Sequence, residues 1–296
     1  MVPSRAMTRI LCIAGPTASG KSSRAVEEAL ARGGEVISVD SRQVYRGLDI
    51  GTEKVSVEEI RGVPHHLIDI RDVNEPYSAG DFIADASRLI EEIAGRGKLP
   101  ILVGGTHFYF DALLHGLPDG TPPDQELRRK LEALSTEELF SRIQAADLRR
   151  AAELDPANRR RLVRALEIIA THGSVPPRIE QHERHGVLFT AAVNNTPCRS
   201  VYEVEWVVID PPSEELRARI DARLVAALAR GLIGEVRRVR KQVGDTRLNE
   251  LGLEYRVVGE YLRGERSEAS LLPALSAKLW QYARHQKAWL RKLAQM

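Results

Sequence analysis

Short apolar runs alternate with amphipathic stretches along the first 121 residues. Ile10-Leu11-Cys12-Ile13-Ala14 is apolar throughout, which predicts a strand buried on both faces. Arg24 to Arg32 is rich in helix formers, and Gly33-Gly34 then turns the chain into a second strand, Glu35-Val36-Ile37-Ser38-Val39. Val63 to Ile70 reads as a third strand and Leu99 to Val103 as a fourth, closed by Gly104-Gly105. Between them Gly80 to Gly95 has helical periodicity, with Phe82, Ile83, Ala86, Ile90 and Ile93 on one side. Strands alternating with helices predict a parallel sheet covered on both faces. Such sheets bind ligands at the carboxyl ends of their strands. Gly15, Asp40 and Thr106 follow three of those ends and are expected to converge.

The pattern then turns helical. Glu126 to Leu134, Thr136 to Ala146 and Asn158 to Thr171 read as helices, and no convincing strand precedes Arg178. Val204 to Ile209 restores a core strand. Asp210-Pro211-Pro212-Ser213-Glu214-Glu215 then starts a long helix by its capping residues. The remainder to Gln295 is helical, broken at Gly231, Gly244, Gly252 and Gly264. The expected division is a core over 1–121, a helical insertion over 122–200, and a return strand with C-terminal helices over 201–296.

Composition narrows the class. Hydrophobic residues make up 43% and charged residues 28% of 296, as in a globular protein. No stretch reaches the eighteen or so apolar residues of a membrane span. Met1 to Thr8 lacks the apolar region of a secretory signal, and Met7 as an alternative start would leave 1–6 as a disordered extension. Cys12 and Cys198 make neither a disulfide framework nor a zinc site. The expected compartment is the cytoplasm.

Gly15-Pro16-Thr17-Ala18-Ser19-Gly20-Lys21-Ser22 fits the P-loop pattern G-x-x-x-x-G-K-[ST] in full, between a strand and a helix. Such a loop turns backbone N–H groups inward and aims a helix N-terminus at a polyphosphate. Lys21 would add a point charge, and Ser22 a hydroxyl ligand for Mg²⁺. The fold expected is therefore α/β, with a P-loop NTPase-like parallel sheet, flanking helices and a mostly helical insertion domain.

Other residues leave alternatives open. Asp40 could bind Mg²⁺, take a proton from a nucleophile, or cap a turn. Thr106 can donate to phosphate, while His107, Phe108, Tyr109 and Phe110 read first as core. His65-His66 shows no third metal ligand at a useful spacing. Arg219 and Arg223 share a helical face and could form an anion clamp or a solvated surface. From Arg256 onward eight Lys or Arg stand against three Glu, interleaved with Trp280, Tyr282, His285 and Trp289. Charge with flat rings suits RNA, and Trp280 is the ring expected to stack on a base. Asn158 to Arg164 is a second basic cluster.

Taken in order, GPTASGKS (15–22), DSRQVY (40–45), DIGTEK (49–54), VPHHLIDI (63–70), RGKLPILVGGTHFYFDALLHGL (96–117), NRRRLVRALE (158–167), LRARIDAR (216–223), EYRVVGEYLRGE (254–265) and YARHQKAWLRK (282–292) resemble the tRNA dimethylallyltransferases, also called tRNA isopentenyltransferases. The resemblance implies a monomeric enzyme that binds dimethylallyl diphosphate with Mg²⁺. Its other substrate would be the anticodon stem-loop of tRNA, where the five-carbon group goes to N6 of the adenine just 3′ of the anticodon, releasing pyrophosphate. By this matching Gly15 to Ser22 hold the diphosphate and Asp40 accepts the amine proton, while Thr106 and Arg223 stabilise the leaving group. Contacts to tRNA fall to Asp40, Ser41, Arg42, Gln43, Arg128, Arg160, Arg161, Arg164, Tyr255, Arg256, Arg284, His285, Gln286, Lys287 and Arg291, with Trp280 as the stacking ring. The chain departs from the family pattern at Leu279-Trp280 (usually Thr-Arg), His285 (Arg), Ala288 (Thr) and Glu254 (Gly). A relative acting on free adenine nucleotides would need neither the insertion nor the basic C-terminus, and a small-molecule kinase would consume ATP.

Overall fold

A computed structural model describes residues 7–117, 124–175, 191–193, 196–198 and 202–293; the expected extension 1–6 lies outside them. β1 (Thr8–Ala14) runs through the glycine loop into α1 (Lys21–Arg32). β2 (Gly34–Val39), the short α2 (Val57–Ile60) and β3 (His65–His66) follow, then α3 (Ala79–Gly95), β4 (Leu99–Gly104) and α4 (His107–His115). Next come α5 (Gln125–Glu132), α6 (Thr136–Ala146), α7 (Leu148–Glu153) and α8 (Arg159–His172). A hairpin of β5 (Ala191–Val193) and β6 (Thr196–Cys198) precedes β7 (Tyr202–Val208). The chain finishes with α9 (Ser213–Ala229), α10 (Leu232–Glu250), α11 (Leu253–Leu262) and α12 (Glu268–Leu293).

The chain divides into two compact units, one of residues Met1–Leu114 with Ser200–Met296 and one of His115–Arg199. The first contains a five-stranded sheet in the order β3-β2-β4-β1-β7, parallel throughout. Ala14 pairs with Gly104 and with Val208, and Val39 pairs with Gly104. Four strands therefore end at one level, and the residues just past them, Gly15, Asp40, Gly105 and Ile209, emerge along one edge. β1 from Ile10 onward and all of β2 are buried, which is why their sequences are apolar without alternation. Ala25, Val26 and Ala29 of α1 and Phe82, Ile83, Ala86, Leu89, Ile90 and Ile93 of α3 form the buried faces of their helices.

The third expected strand shrinks to a two-residue ladder, His65 and His66 against Val36 and Ile37. Left-handed backbone at Leu67 (φ 61) and Asp69 (φ 56) ends it. Lys54 holds that turn, with Nζ 2.5 Å from the Asp69 carboxylate and 2.7 Å from the Tyr45 carbonyl.

Helices α9 to α12 share a second core with Val44, Tyr45 and Leu48, built on Leu216, Ile220, Leu224, Val236, Leu248, Val258, Leu275 and Leu279. The helical run turns at the expected glycines. At Gly244 the backbone (φ 72, ψ 176) kinks α10, a conformation open to glycine and costly for residues with a Cβ.

The second unit has its own core, with Leu131, Leu139, Ile143, Leu162 and Leu166 buried. Its helices are capped by side chains: Ser135 and Glu138 form a capping box at α6, and the Asp147 carboxylate accepts from Arg150 N and Val175 N. The hairpin β5–β6 falls in the expected insertion.

Candidate active site

The loop between β1 and α1 takes its shape from two left-handed residues, Ala18 (φ 60) and Gly20 (φ 86). Pro16 O receives a hydrogen bond from Ser19 N at 3.3 Å and another from Lys21 Nζ at 3.1 Å. The Ser19 hydroxyl is buried without a partner. A buried polar atom left unpaired costs free energy, and an anionic oxygen at the loop would relieve it. Burial pushes the Lys21 ammonium down to about 8; Asp40 opposes that shift and Arg223 adds to it.

Asp40 ends β2. Its Oδ1 accepts from Arg42 N at 2.7 Å and Gln43 N at 3.2 Å, so it caps a turn and also faces the cavity. Thr106 Oγ1 accepts from Ser41 N at 3.2 Å, which ties the end of β4 to the same turn. Gln43 is held by Ser38 Oγ at 3.0 Å and donates to Thr52 O at 3.1 Å.

Arg223, on α9, reaches the loop. Its guanidinium donates to Thr17 Oγ1 and lies 3.4 Å from Gly51 O. It also meets two carboxylates, Glu254 at 3.3 Å and Glu53 at 3.5 Å. Arg219, one helical turn earlier, lies 3.4 Å from Ser19 O. Arg219 is itself exposed and paired with Glu215, so the face combines a solvated ion pair at Arg219 with a loop contact at Arg223.

Two glutamates shape the same region: Glu254, named from the sequence only as a departure from the family pattern and within the expected tRNA contacts Leu251 to Arg256, and Glu235, which sequence reasoning did not select. Glu254 pairs with Arg223. Glu235, on α10 and 1% exposed, accepts from Asp49 N, Ile50 N and Gly51 N at 2.8–3.0 Å and from Tyr255 Oη at 2.7 Å. That carboxylate fixes the 49–51 turn and so aims the Gly51 carbonyl at Arg223. In sequence Glu235 is an ordinary glutamate on an amphipathic helix, and nothing local marks it.

Helix α12 supplies the remaining wall. Gln286 is buried, accepts from Thr17 N at 2.9 Å and donates to Gly105 O at 2.9 Å. A Cβ at Gly105 would lie 2.5 Å from Gln286 Nε2 and would force that amide to shift. His107 stacks on Trp289 with ring centroids 4.2 Å apart. Burial, helped by Lys21, pushes His107 down to about 4, so it stands neutral near pH 7.

These groups enclose a cavity of about 470 Å³ lined by Thr17 to Ser22, Asp40 to Gln43, Gly51 to Lys54, Gly104 to Thr106, Arg223, Glu254, Tyr255, Tyr282 and Gln286. The expected loop, Asp40, Thr106 and Arg223 are thus brought together, with Gly15 and Pro16 buried beneath them. Several expected tRNA contacts lie elsewhere or face inward. Tyr255 is buried on Glu235, and Gln286 is spent on the loop. Lys287, 7% exposed, pairs with Asp210 and donates to Pro211 O. Trp280 is half-buried against the helical core with the Arg217 guanidinium 5.9 Å from its ring. The exposed ring on the cavity wall is Tyr282 instead. Arg256, Arg284, His285 and Arg291 are exposed.

In the second unit Arg128 forms a bidentate pair with Glu167 at 2.6 and 2.9 Å, and Arg164 meets the same carboxylate at 3.1 Å. Glu167 is 2% exposed, and a buried carboxylate needs such partners. Those two arginines hold the unit together, while Arg160 and Arg161 stay exposed. His65 and His66 are bonded to Val63 O and Glu35 at 2.8 Å each, and no metal-binding group of three His, Cys, Asp or Glu occurs among the described residues.

A parallel sheet with a Lys-bearing glycine loop at its carboxyl edge defines a P-loop protein, here with a carboxylate, a threonine and an arginine on the wall of the same cavity. The family model described as IPP transferase matches residues 43–293. A tRNA dimethylallyltransferase of Thermomicrobium roseum is 41% identical over 97% of this chain and 84% of its own length. One from Anaeromyxobacter dehalogenans is 40% identical over 96% and 92%. The crystal structure of the full-length tRNA isopentenylpyrophosphate transferase of Bacillus halodurans superposes with a TM-score of 0.68 at 35% identity, covering 96% of this chain and 87% of that one. A eukaryotic dimethylallyltransferase acting on tRNA gives 0.75 at 26% identity, covering 96% and 70%. The chain belongs to the IPP transferase family.

Proposed function

We propose that this protein is a tRNA dimethylallyltransferase, which joins the dimethylallyl group of dimethylallyl diphosphate to N6 of the adenine 3′-adjacent to the anticodon and releases pyrophosphate. The observation that carries the reading is the convergence of Lys21, Asp40, Thr106 and Arg223 on one cavity. The diphosphate lies against the loop amides, Lys21 and Arg223. As the C–O bond to the diphosphate breaks, charge builds on the leaving oxygens, and positioned cations stabilise it where water is excluded. The N6–C bond forms on the other side of the carbon, and the proton of the amine passes to Asp40. Thr106, held by Ser41 N, offers its hydroxyl proton to the leaving group.

Mg²⁺ fits the donor set. It takes one or two protein oxygens and completes its shell with substrate phosphates and water, and the Ser22 hydroxyl lies on the cavity wall. When bound it supplies charge to the leaving diphosphate. Tyr282 offers a ring for the flipped adenine, and the exposed Arg160, Arg161, Arg284, His285 and Arg291 offer charge to the stem-loop. No helix of the described residues is long and apolar enough to cross a membrane. The unpaired thiol of Cys12 suits a reducing cytoplasm.

The experiment is to supply labelled dimethylallyl diphosphate with Mg²⁺ and either bulk tRNA or AMP, without ATP. The label should enter tRNA alone, at the adenine beside the anticodon. Label in AMP, or a requirement for ATP, would defeat the reading.

A further inference from the structure

Arg223 is shared between the phosphate loop and two carboxylates, and the two differ in what they keep. Glu53 is one-third exposed and also bound by Arg230 at 2.6 Å, so it retains a cation when Arg223 turns toward a ligand. Glu254 is 14% exposed, sits on the cavity wall, and meets the Arg223 guanidinium at 3.3 Å. A diphosphate on the loop would draw that guanidinium toward itself and place several negative charges in the cavity that Glu254 faces. A buried carboxylate that loses its counter-ion beside new negative charge is stable only as the neutral acid.

We propose that Glu254 is a resident counter-ion of Arg223 that a bound diphosphate displaces, taking up a proton as it is displaced. The inference rests on the reading of the loop as a diphosphate site. The surroundings favour protonation. Asp40 at the end of β2 and Glu53 in the following loop are acidic, the phenols of Tyr255 and Tyr282 add no cation, and the cation paired with Glu254 is Arg223; the Glu254 backbone N–H in the first turn of α11 also favours the ionised form. Burial already holds the carboxyl above the usual carboxylate range, with Arg223 opposing it. Lys21 and Arg42 lie on the same cavity wall, nearer the loop and the Asp40 turn.

The linkage has a definite sign. If the proton is held more tightly in the complex than in the free protein, pyrophosphate affinity falls as pH rises between the two pKa values. Ionised Glu254 then competes with pyrophosphate for Arg223 and hastens its release after transfer. The chain thus carries its own displacing anion for the product.

The test is calorimetry of Mg²⁺-pyrophosphate binding to the full chain, in buffers of unlike ionisation heat, for wild type, Glu254→Gln, Glu254→Ala and Lys21→Ala. Wild type should take up more protons per pyrophosphate than either Glu254 variant. At pH 8 both variants should bind pyrophosphate about tenfold tighter, the equivalent of one pKa unit. Melting curves confirm that each variant folds. Equal proton uptake and equal affinity in wild type and both Glu254 variants, with binding lost in Lys21→Ala, would overturn the inference and leave the loop reading intact. Undiminished binding in Lys21→Ala would overturn the loop reading, and this inference with it.

Discussion

Lys21 and Asp40 lie across one cavity, and their protonation decides what the site can do. Lys21 is held at about 8 in the free protein, so its ammonium is partly lost just above neutral pH. Only the charged form attracts a diphosphate, and the diphosphate in turn raises its pKa. The wild-type advantage over Lys21→Met in pyrophosphate binding should therefore shrink as pH rises through 8, which titrations from pH 7 to 9.5 would show. For Asp40, the two amides on Oδ1 mean that Asn preserves the turn and removes only the base. Asp40→Asn should leave substrate binding intact and slow single-turnover transfer by about 100-fold or more. A normal rate would leave Asp40 as a turn cap. Its place on the carboxyl edge was legible in the sequence, because it follows a buried strand of a parallel sheet, but the expected adjacency of that strand to the P-loop strand was wrong: β4 lies between β2 and β1. Glu235 was not legible: its backbone partners lie 184 to 186 residues away and Tyr255 twenty, and only the packed helices bring them to it.

At the scale of elements, the buried strands and the capped helices could be read from apolar runs and cap residues, because both signals are local. The third strand could not, since its end is set by left-handed residues and by Lys54 reaching across from another loop. Helix α12 shows the same limit. Its basic and aromatic spacing suggested one RNA-facing surface, yet the turn that carries Gln286 and Lys287 faces inward, to the P-loop and to Asp210. Trp280 lies against the core and Tyr282 on the cavity wall, so their replacements should separate cleanly. Trp280→Ala should lower stability by about 2 kcal/mol, less than full burial would give, and weaken both substrates alike through unfolding. Tyr282→Ala should leave the melting temperature unchanged and cost about 1–3 kcal/mol of tRNA affinity, as loss of a stacked base does. Denaturation curves beside tRNA binding measurements decide both.

For the whole molecule, the proposed phosphate site and part of the proposed RNA charge reside on different parts of the chain. The cavity is complete within the unit formed by residues Met1–Leu114 and Ser200–Met296, whereas the Asn158 to Arg164 cluster belongs to the other. Within that cluster the arginines are not equivalent. Arg164 shares the buried Glu167 with Arg128, and removing it would leave a buried carboxylate short of charge, a change in folding rather than in binding. Arg160 and Arg161 are exposed on the first turn of α8 and can meet phosphates without cost to the core. Each contact to a single-stranded phosphate adds roughly −0.7 to the log–log dependence of affinity on salt. Arg160→Ala with Arg161→Ala should therefore flatten the slope for tRNA by about one to one and a half. Pyrophosphate affinity and the melting temperature should stay at wild-type values. Arg164→Ala should do the reverse, lowering the melting temperature first. Binding of an anticodon stem-loop at several salt concentrations, with a melting curve for each variant, tests both; an unchanged slope in the double variant would move the RNA surface off α8.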